Sequence, residues 1–389
     1  MTLVTILGST GSIGVNTLNV IRNHPDRFGV YALVAGVNAD LLTSQIQEFR
    51  PRVAVVANEQ VRQQVLRNLE DVNSAHRCEV LATPAARVEV ATAPEVGFVM
   101  SAIVGVQGLE ATYEAVRKGK QVGLANKEVL VASGQLVMDA CRVSGTELLP
   151  VDSEHNGAHQ CLRAGLRDEV TRLILTASGG PFRNFTKDQM KAVTPAQALH
   201  HPTWKMGQRI TIDSATMMNK GFEVIEACWL FGFQPKEVDV VVHPQSTVHA
   251  MVEFRDGTLM TQVSTTDMRM PIQYALTYPA RMDAPVPRYD FAESRTWEFF
   301  PPDQDRFPCL RLAYQAMEAG GSATCTLNAA DEVAVEAFLG GRIDFPSIAS
   351  TVEETLQRVP VRTALSVAEV LEIDQQSRRV AAKLVTERG

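Results

Sequence analysis

The chain opens on a run of apolar residues, Thr2-Leu-Val-Thr-Ile-Leu7, that breaks directly into glycines. A short continuous apolar run of this kind reads as a strand buried on both faces of a parallel sheet. Residues 15–22 then follow a helical pattern, with Val15, Leu18 and Ile21 on one face. Further apolar runs recur at 30–35, 53–57, 98–103, 121–125 and 147–151, with helical periodicity between them, for example over 108–118 and 129–143. Strands alternating with helices predict right-handed βαβ units and a doubly wound parallel sheet, an α/β fold over residues 1–150.

The pattern changes after residue 150. Strand-like runs stand at 173–177, 238–242, 251–254 and 259–263, the last two flanking Asp256-Gly257 as in a hairpin. Residues 221–231 read as a helix, so 151–284 are expected to form an α+β domain. Five prolines between 285 and 308, with little periodicity, predict a linker over 285–309. From there the segments 309–318, 328–339, 347–359 and 367–386 read as helices, and a C-terminal helical bundle is expected over 310–389.

Composition adds limits rather than detail. With 389 residues, 45% hydrophobic and 21% charged, the chain is an ordinary globular protein. A net charge of −7 argues against nucleic acid or a membrane surface as partner, but not against a phosphorylated small molecule bound at a locally basic site. Six cysteines without a C-x-x-C pair read as reduced thiols of a cytoplasmic protein. The longest apolar candidate, 96–106, is interrupted by Gly97, Ser101 and Gly105 and is too short to span a bilayer. The N-terminus reads as a strand from its second residue, with no targeting segment expected.

Candidate chemistry begins at Gly8-Ser-Thr-Gly11-Ser-Ile-Gly14, between a predicted strand and helix. Glycines there let the backbone approach a pyrophosphate, and the helix N-terminus offers N–H groups and partial positive charge to it. At the end of the second strand, Ala35-Gly36-Val37-Asn38 carries no acid for a ribose 2′-hydroxyl, which leans toward NADP, yet no basic residue stands there either. Asp152-Ser153-Glu154 follows the strand ending at Val151. Spacing i, i+2 at a strand end aims both carboxylates at one point, as a divalent ion requires; the plainer reading is a pair of acids at a helix N-cap.

The densest polar cluster, Asp213-Ser214 through Asn219-Lys220-Gly221 to Glu223, precedes an amphipathic helix. Glu223 is a candidate third carboxylate, and Lys220 and Asn219 candidate anion ligands; the plainer reading makes Asn219 or Asp213 an N-cap. Ser178-Gly-Gly180 ends another strand in donor-rich residues that suit a phosphate or a lid hinge. His201, Trp204 and Met206 lie on an aperiodic loop, where an aromatic and a methionine suggest a flap over something apolar, or local packing. His155 and His159 are spaced i, i+4 but lack a metalloprotease pattern, and with His243 and His249 they are read as supporting or core histidines.

Taken in order, Gly8 to Gly14, Leu124-Ala-Asn-Lys-Glu128, Pro150-Val-Asp-Ser-Glu-His-Asn156, Ser178 to Phe182, His201-Pro-Thr-Trp-Lys-Met-Gly207, Asp213 to Gly221 and His243-Pro-Gln-Ser246 resemble the 1-deoxy-D-xylulose 5-phosphate reductoisomerase family over nearly the whole chain. The resemblance implies a Rossmann-like NADPH-binding domain, a central catalytic domain, a linker and a helical bundle, assembled as a homodimer. It implies Mg²⁺ or Mn²⁺ on Asp152, Glu154 and Glu223, and substrate phosphate on Ser178, Ser214, Asn219 and Lys220. Ser153 and Lys127 would contact the substrate backbone; His201 and Trp204 would close over it. NADPH would lie along Gly8, Thr10, Gly11, Ser12, Ile13, Gly36, Asn38, Asn126, Glu128, Met206 and Gly207. The chain departs from the family at Val37, where members often carry a basic residue near the 2′-phosphate. Competing readings are a metal-free NAD(P)-dependent dehydrogenase of another small phosphorylated or hydroxy-acid substrate, and a non-catalytic NADP-binding sensor, which leaves the three acids unexplained.

Overall fold

The computed structural model describes residues 1–71, 76–204, 206–292 and 294–388. They form two compact units. The first gathers Met1–Val129, Val137–Asn156 and Asp267–Val286. Its seven strands are β1 (Thr2–Leu7), β2 (Phe28–Val34), β3 (Val53–Val55), β4 (Glu79–Leu81), β5 (Val96–Ser101), β6 (Gln121–Leu124) and β7 (Leu148–Pro150). They pair in the order β4-β3-β2-β1-β5-β6-β7, parallel throughout. The chain winds outward from β1 to β4, returns, and winds the other way from β5 to β7. The strand order therefore reverses between β1 and β5, and the glycine loop leaves the carboxyl end of β1 at that point, where open α/β sheets bind their ligands.

The parallel, doubly wound sheet is as expected apart from β4, which no apolar run marked, and the two helices beside the outer strands carry little sequence signal either. β4 is a three-residue edge strand, and the helices Ala39–Phe49 and Glu59–Asp71 between the outer strands are mostly polar on their outer faces. The helix Arg269–Thr277 is a larger surprise. Expected within the second domain, it belongs to the first unit, where it packs on helix Ser12–Asn23 and on β6 and β7. Ile272 and Ala275 are buried in the same core as Val4, Ile6, Phe98 and Leu149, which is why the segment folds here rather than with its neighbours in sequence.

The second unit holds Leu130–Leu136, Gly157–Thr266 and Pro287–Gly389. Its sheet runs β11-β10-β8-β9, with β8 (Val170–Ala177), β9 (Val238–Val242), β10 (Val248–Phe254) and β11 (Leu259–Val263). β8 and β9 are parallel; β10 is antiparallel to β8 and β11, and the β10–β11 turn carries Gly257 at a φ of +83°. The C-terminal helices Pro308–Ala319, Ala323–Leu339, Pro346–Arg358 and Val367–Arg388 do form. They do not stand apart as a bundle: Phe338 and Ile348 share a continuous core with Leu175 of β8 and Val224 of the helix Met218–Phe231. Nor is the proline-rich segment only a tether, because Phe300 bridges to Val242 on the open edge of β9 by paired backbone bonds of 2.8 and 2.9 Å. Among the described residues, no helix is long and apolar enough to cross a membrane.

If the helix Arg269–Thr277 is integral to the parallel sheet's core, Ile272→Ala should cost about 2–5 kcal/mol of unfolding free energy, the usual range for truncating a fully buried Ile. Urea denaturation measures it; a loss below about 1 kcal/mol would place the helix outside the core.

Candidate active site

The glycine loop separates into packing and opening. Gly8 has a φ of +96°, and a Cβ there would stand 2.5 Å from the Ala102 carbonyl oxygen. A Cβ on Gly14 would stand 2.3 Å from the Gly8 carbonyl oxygen. Both are demanded by the chain's own packing. Gly11 is not: it is exposed, and its nearest Cβ contact would be an ordinary 3.4 Å. Gly11 stands at the N-cap of helix Ser12–Asn23 without a side-chain cap, and the first turn holds no acid. An uncapped helix start beside an open glycine fits a pyrophosphate. Thr10 is half-buried and Ser12 exposed at this opening, whereas the Ile13 side chain packs into the core, leaving only its backbone to face a ligand.

Gly36 and Val37 are exposed beyond β2. The Asn38 Oδ1 accepts the Leu41 N–H at 3.1 Å as N-cap of helix Ala39–Phe49, so its amide nitrogen is the side-chain donor left for a ligand. Asp40 falls inside that helix and accepts from the Asn68 amide at 2.9 Å, so it does not serve as the missing strand-end acid. Asn126 has a structural task of its own. Its Oδ1 caps helix Lys127–Ser144 through the Val129 N–H at 3.3 Å, and its amide donates to Gly105 O at 3.0 Å and to Ile103 O. With both ends of the side chain engaged, Asn126 ties a loop to a helix start, and only its backbone remains for a cofactor. Glu128, beside it, is buried.

Asp152 lies beyond β7, so the strand-end alternation expected for Asp152 and Glu154 does not operate. Asp152 instead caps helix Ser153–Leu162: its Oδ1 accepts the N–H groups of Glu154 and His155 at 3.1 and 3.3 Å. Its Oδ2 pairs with the Lys127 ammonium, both side chains being nearly buried. Ser153 donates to Glu154 Oε1 at 3.0 Å, and Asn156 holds the helix to the strand end through Pro150 O at 2.9 Å. The capping reading and the ligand reading are thus compatible. Capping orients Asp152 and leaves Glu154 half-buried in the first helical turn. His155 stands 3.4 Å from Asp152, a supporting position, and His159 packs against the Phe231 ring.

In the second unit the segment before Glu223 is helical earlier than its polar composition suggests. Helix Gln208–Thr216 ends at Met217, a non-glycine residue at a φ of +65°, and helix Met218–Phe231 begins at once. Neither Asp213 nor Asn219 is an N-cap: Asp213 lies buried inside the first helix, and Asn219 in the first turn of the second. The break puts Asn219, Lys220 and Glu223 on one turn. Asn219 donates to Glu223 Oε1 at 2.6 Å and the Lys220 ammonium pairs with Oε2, with Lys220 and Glu223 both buried. The Asn219 Oδ1 is buried without a hydrogen-bond partner.

Ser214, on the last turn of helix Gln208–Thr216, meets the loop after β8. Gly179 and Gly180 have φ of +79° and +64°, and a Cβ on Gly180 would lie 2.8 Å from the Ser214 carbonyl oxygen. The close approach brings Ser178 and Ser214 to the same His201 nitrogen, at 3.0 and 3.1 Å from Nε2. Nδ1 accepts the backbone N–H groups of Thr203 and Trp204 at 3.2 and 2.9 Å. A nitrogen that accepts two N–H groups carries no proton, so the ring is neutral with its hydrogen on Nε2, donated to a serine hydroxyl. Burial agrees, holding the His201 pKa down to about 4. Trp204 lies beside His249, its ring centroid 6.4 Å away. Met206 is half-buried and Gly207 exposed; Lys205 of the same motif lies outside the described residues. His243 is core: it is buried, stacked on Phe299, and bonded to Glu298 O and Thr247.

Comparison with known proteins places this geometry. Family models described as 1-deoxy-D-xylulose 5-phosphate reductoisomerase, its C-terminal domain, and DXP reductoisomerase C-terminal domain match residues 4–134, 148–231 and 263–380. A 1-deoxy-D-xylulose 5-phosphate reductoisomerase of Solibacter usitatus (strain Ellin6076) is 64% identical over 386 residues, covering 99% of this chain and 97% of the relative. The chain belongs to the 1-deoxy-D-xylulose 5-phosphate reductoisomerase family. A solved family structure from Zymomonas mobilis, in complex with NADPH, is 44% identical with a TM-score of 0.92, each chain covered to 99%. A DOX-P reductoisomerase in complex with NADPH, fosmidomycin and magnesium is 37% identical with a TM-score of 0.92, covering 99% of this chain and 98% of that one.

Two outcomes follow for the His201 cluster. Nitrogen-detected NMR should find a neutral imidazole protonated on Nε2 and titrating near 4, not near the ordinary 6.5. Because the unfolded chain takes up that proton first, the stability contributed by the cluster is complete above pH ~6.5 and declines as the pH falls toward 4. A proton found on Nδ1 of the neutral ring would rule out its acceptor role.

Proposed function

We propose that the chain is an NADPH- and divalent-metal-dependent oxidoreductase that rearranges and reduces 1-deoxy-D-xylulose 5-phosphate to 2-C-methyl-D-erythritol 4-phosphate, in non-mevalonate isoprenoid biosynthesis. The observation that carries this reading is the 64% identity to a reductoisomerase along the full chain. The loop geometry at Gly11 and the donor clusters at His201 and Glu223 support it.

NADPH, held along the uncapped helix start at Gly11 to Ile13, supplies the hydride that reduces the aldehyde left by the rearrangement. A divalent ion on Asp152, Glu154 and Glu223 supplies positive charge opposite the substrate's carbonyl and hydroxyl oxygens. The donor set supports that assignment, being three carboxylates, two half-buried and one buried, the all-oxygen ligation a hard ion prefers. The remaining work falls to the chain's own groups. Ser178, Ser214, Asn219 and Lys220 anchor the phosphate, whose binding energy orients carbons remote from it. His201, neutral, donates its single Nε2–H to one of the two serine hydroxyls and so leaves that hydroxyl's own hydrogen for an anion. Lys127 holds its proton at Nζ beside Asp152, where with Ser153 it meets the oxygens of the carbon skeleton. Trp204, on the His201 loop, excludes water from the closed site.

The working protein is a cytoplasmic homodimer in this reading. Its six cysteines are free thiols, as in a reducing compartment. The outer strand β11 exposes Leu259 and Met260, and the segment that bridges β9 exposes Phe291, Trp297, Phe299 and Phe300. The two groups lie at opposite edges of the sheet, and apolar surface at a strand edge suits a second copy.

The deciding assay follows NADPH oxidation with 1-deoxy-D-xylulose 5-phosphate, with and without Mg²⁺. Turnover should vanish with chelator and return with Mg²⁺ or Mn²⁺; full activity after metal removal would favour a metal-free dehydrogenase. Asp152→Asn and Glu223→Gln should each lower kcat by about 100-fold or more, the scale of losing one preorganised electrostatic contact. NADPH should exceed NADH in kcat/KM, and equal values would show that Val37 has removed the preference. Phe300→Asp with Met260→Arg should yield monomers by sedimentation, whereas an unshifted dimer would place the interface elsewhere.

A further inference from the structure

We infer that Arg209 and Glu332 are positioning residues for the phosphate site, fixing Ser214 through the helix that carries it; the inference rests on the proposed role of Ser214. Helix Gln208–Thr216 has only nine residues and follows a loop without regular structure. Its N-cap is Gly207, which contributes no side-chain cap. What holds its first turn is Arg209. The guanidinium donates from Nη1 to Glu332 Oε1 at 2.6 Å and from Nη2 to Asn328 Oδ1 at 2.8 Å, and it lies over the Phe222 ring. Asp213 and Asp331 each stand 3.7 Å from it.

The acceptors belong to helix Ala323–Leu339, more than a hundred residues further along the chain. Glu332 is itself held, since its Oε2 pairs with Arg378, and Arg378 is clamped by Asp374 at 2.6 and 3.1 Å. The Arg209, Glu332 and Asp213 side chains are only 18, 16 and 6% exposed. Charges withdrawn from water to this degree return little net stability, and their planar, two-pronged geometry is the feature to explain. A fork bonded on both prongs fixes direction as well as distance.

The other end of the helix shows what that direction serves. There a Cβ on Gly180 would run into the Ser214 carbonyl oxygen on one side, and His201 Nε2 stands 3.1 Å from the Ser214 hydroxyl on the other. A nine-residue rod held at both ends keeps its direction; with its first turn released it tilts about the end packed against the glycine. The Ser214 backbone then stays near Gly180, but its hydroxyl turns away from the direction that His201 and a shared anion require. The C-terminal helices, remote in sequence, thereby set the precision of the phosphate site.

The test compares Glu332→Gln, Arg209→Lys and the milder Asn328→Ala in the full-length enzyme. Arg209→Lys keeps the charge and loses the fork, so it should resemble Glu332→Gln rather than wild type. Each should raise KM for 1-deoxy-D-xylulose 5-phosphate, by about ten-fold for the first two and less for Asn328→Ala, and leave KM for NADPH within about two-fold. Inorganic phosphate affinity, titrated by Trp204 fluorescence with Trp229 and Trp297 replaced by Phe, should fall in the same proportion. Unchanged substrate KM and phosphate affinity would overturn the inference. So would a parallel loss for both substrates that tracks a lowered Tm, because that marks a merely structural role. A wild-type enzyme inert toward 1-deoxy-D-xylulose 5-phosphate would instead overturn the functional reading itself.

Discussion

Glu223 sits with none of its surface open to solvent, and an ionised carboxylate in that position costs several kcal/mol unless donors replace the lost water. Much of the second unit's local geometry answers this constraint. Asn219 and Lys220 supply the donors, and they reach the carboxylate because all three residues share a helical turn. That turn begins where it does because Met217 adopts a left-handed conformation, strained for a side chain of its size, and ends the preceding helix at Thr216. The same break sets Ser214 at a helix terminus, against the glycine pair after β8. One buried acid thus accounts for the strain at Met217 and for two of the expected phosphate ligands.

The donors around Glu223 are of the kind a phosphate takes, and the carboxylate is of the kind a hard cation takes. Two of the three acids already have a partner of opposite sign: Asp152 with Lys127, Glu223 with Lys220. Prepaired charges need less rearrangement than bare ones when a ligand arrives, because solvent has already been displaced from them. The histidine cluster follows the other available course. His201 stays neutral, so two serine hydroxyls can be ordered without bringing a further charge into the cradle.

How much of this was legible beforehand depended on the range of the interaction. β1 and its glycines read directly, since Val4, Ile6 and Leu7 crowd the strand and the glycines follow it at once, although what demands Gly8 is the distant Ala102 carbonyl as well as its own positive φ. Asp152, Glu154 and Glu223 were visible as residues, yet the argument that paired the first two relied on strand alternation, and a helix cap orients Asp152 instead. Helix Gln208–Thr216 was obscured because its buried face is partly polar, carrying Thr211, Asp213 and Thr216, and periodicity of apolar residues does not register such a face. The cap formed by Asn126 had no local signal, since its bonds to Gly105 and Val129 show only once the loop and helix are folded. The partnership of Arg209 with Glu332 leaves no local trace at all, since nothing in either segment indicates the other.

The first unit is assembled from three separated stretches of chain, and its last piece is the helix Arg269–Thr277. On a ribosome the polypeptide emerges from its N-terminus, so the seven strands are all available long before that helix. Until then the sheet lacks the cover that Ile272 and Ala275 provide over the core holding Val4 and Leu149. The nascent chain therefore passes through an interval, more than a hundred residues long, in which a nearly finished nucleotide-type sheet presents an oily face to the cell. During that interval the chain makes the strands of the second unit's sheet, within Gly157–Thr266, before the first unit can close, whereas the C-terminal helices of the second unit follow only afterwards.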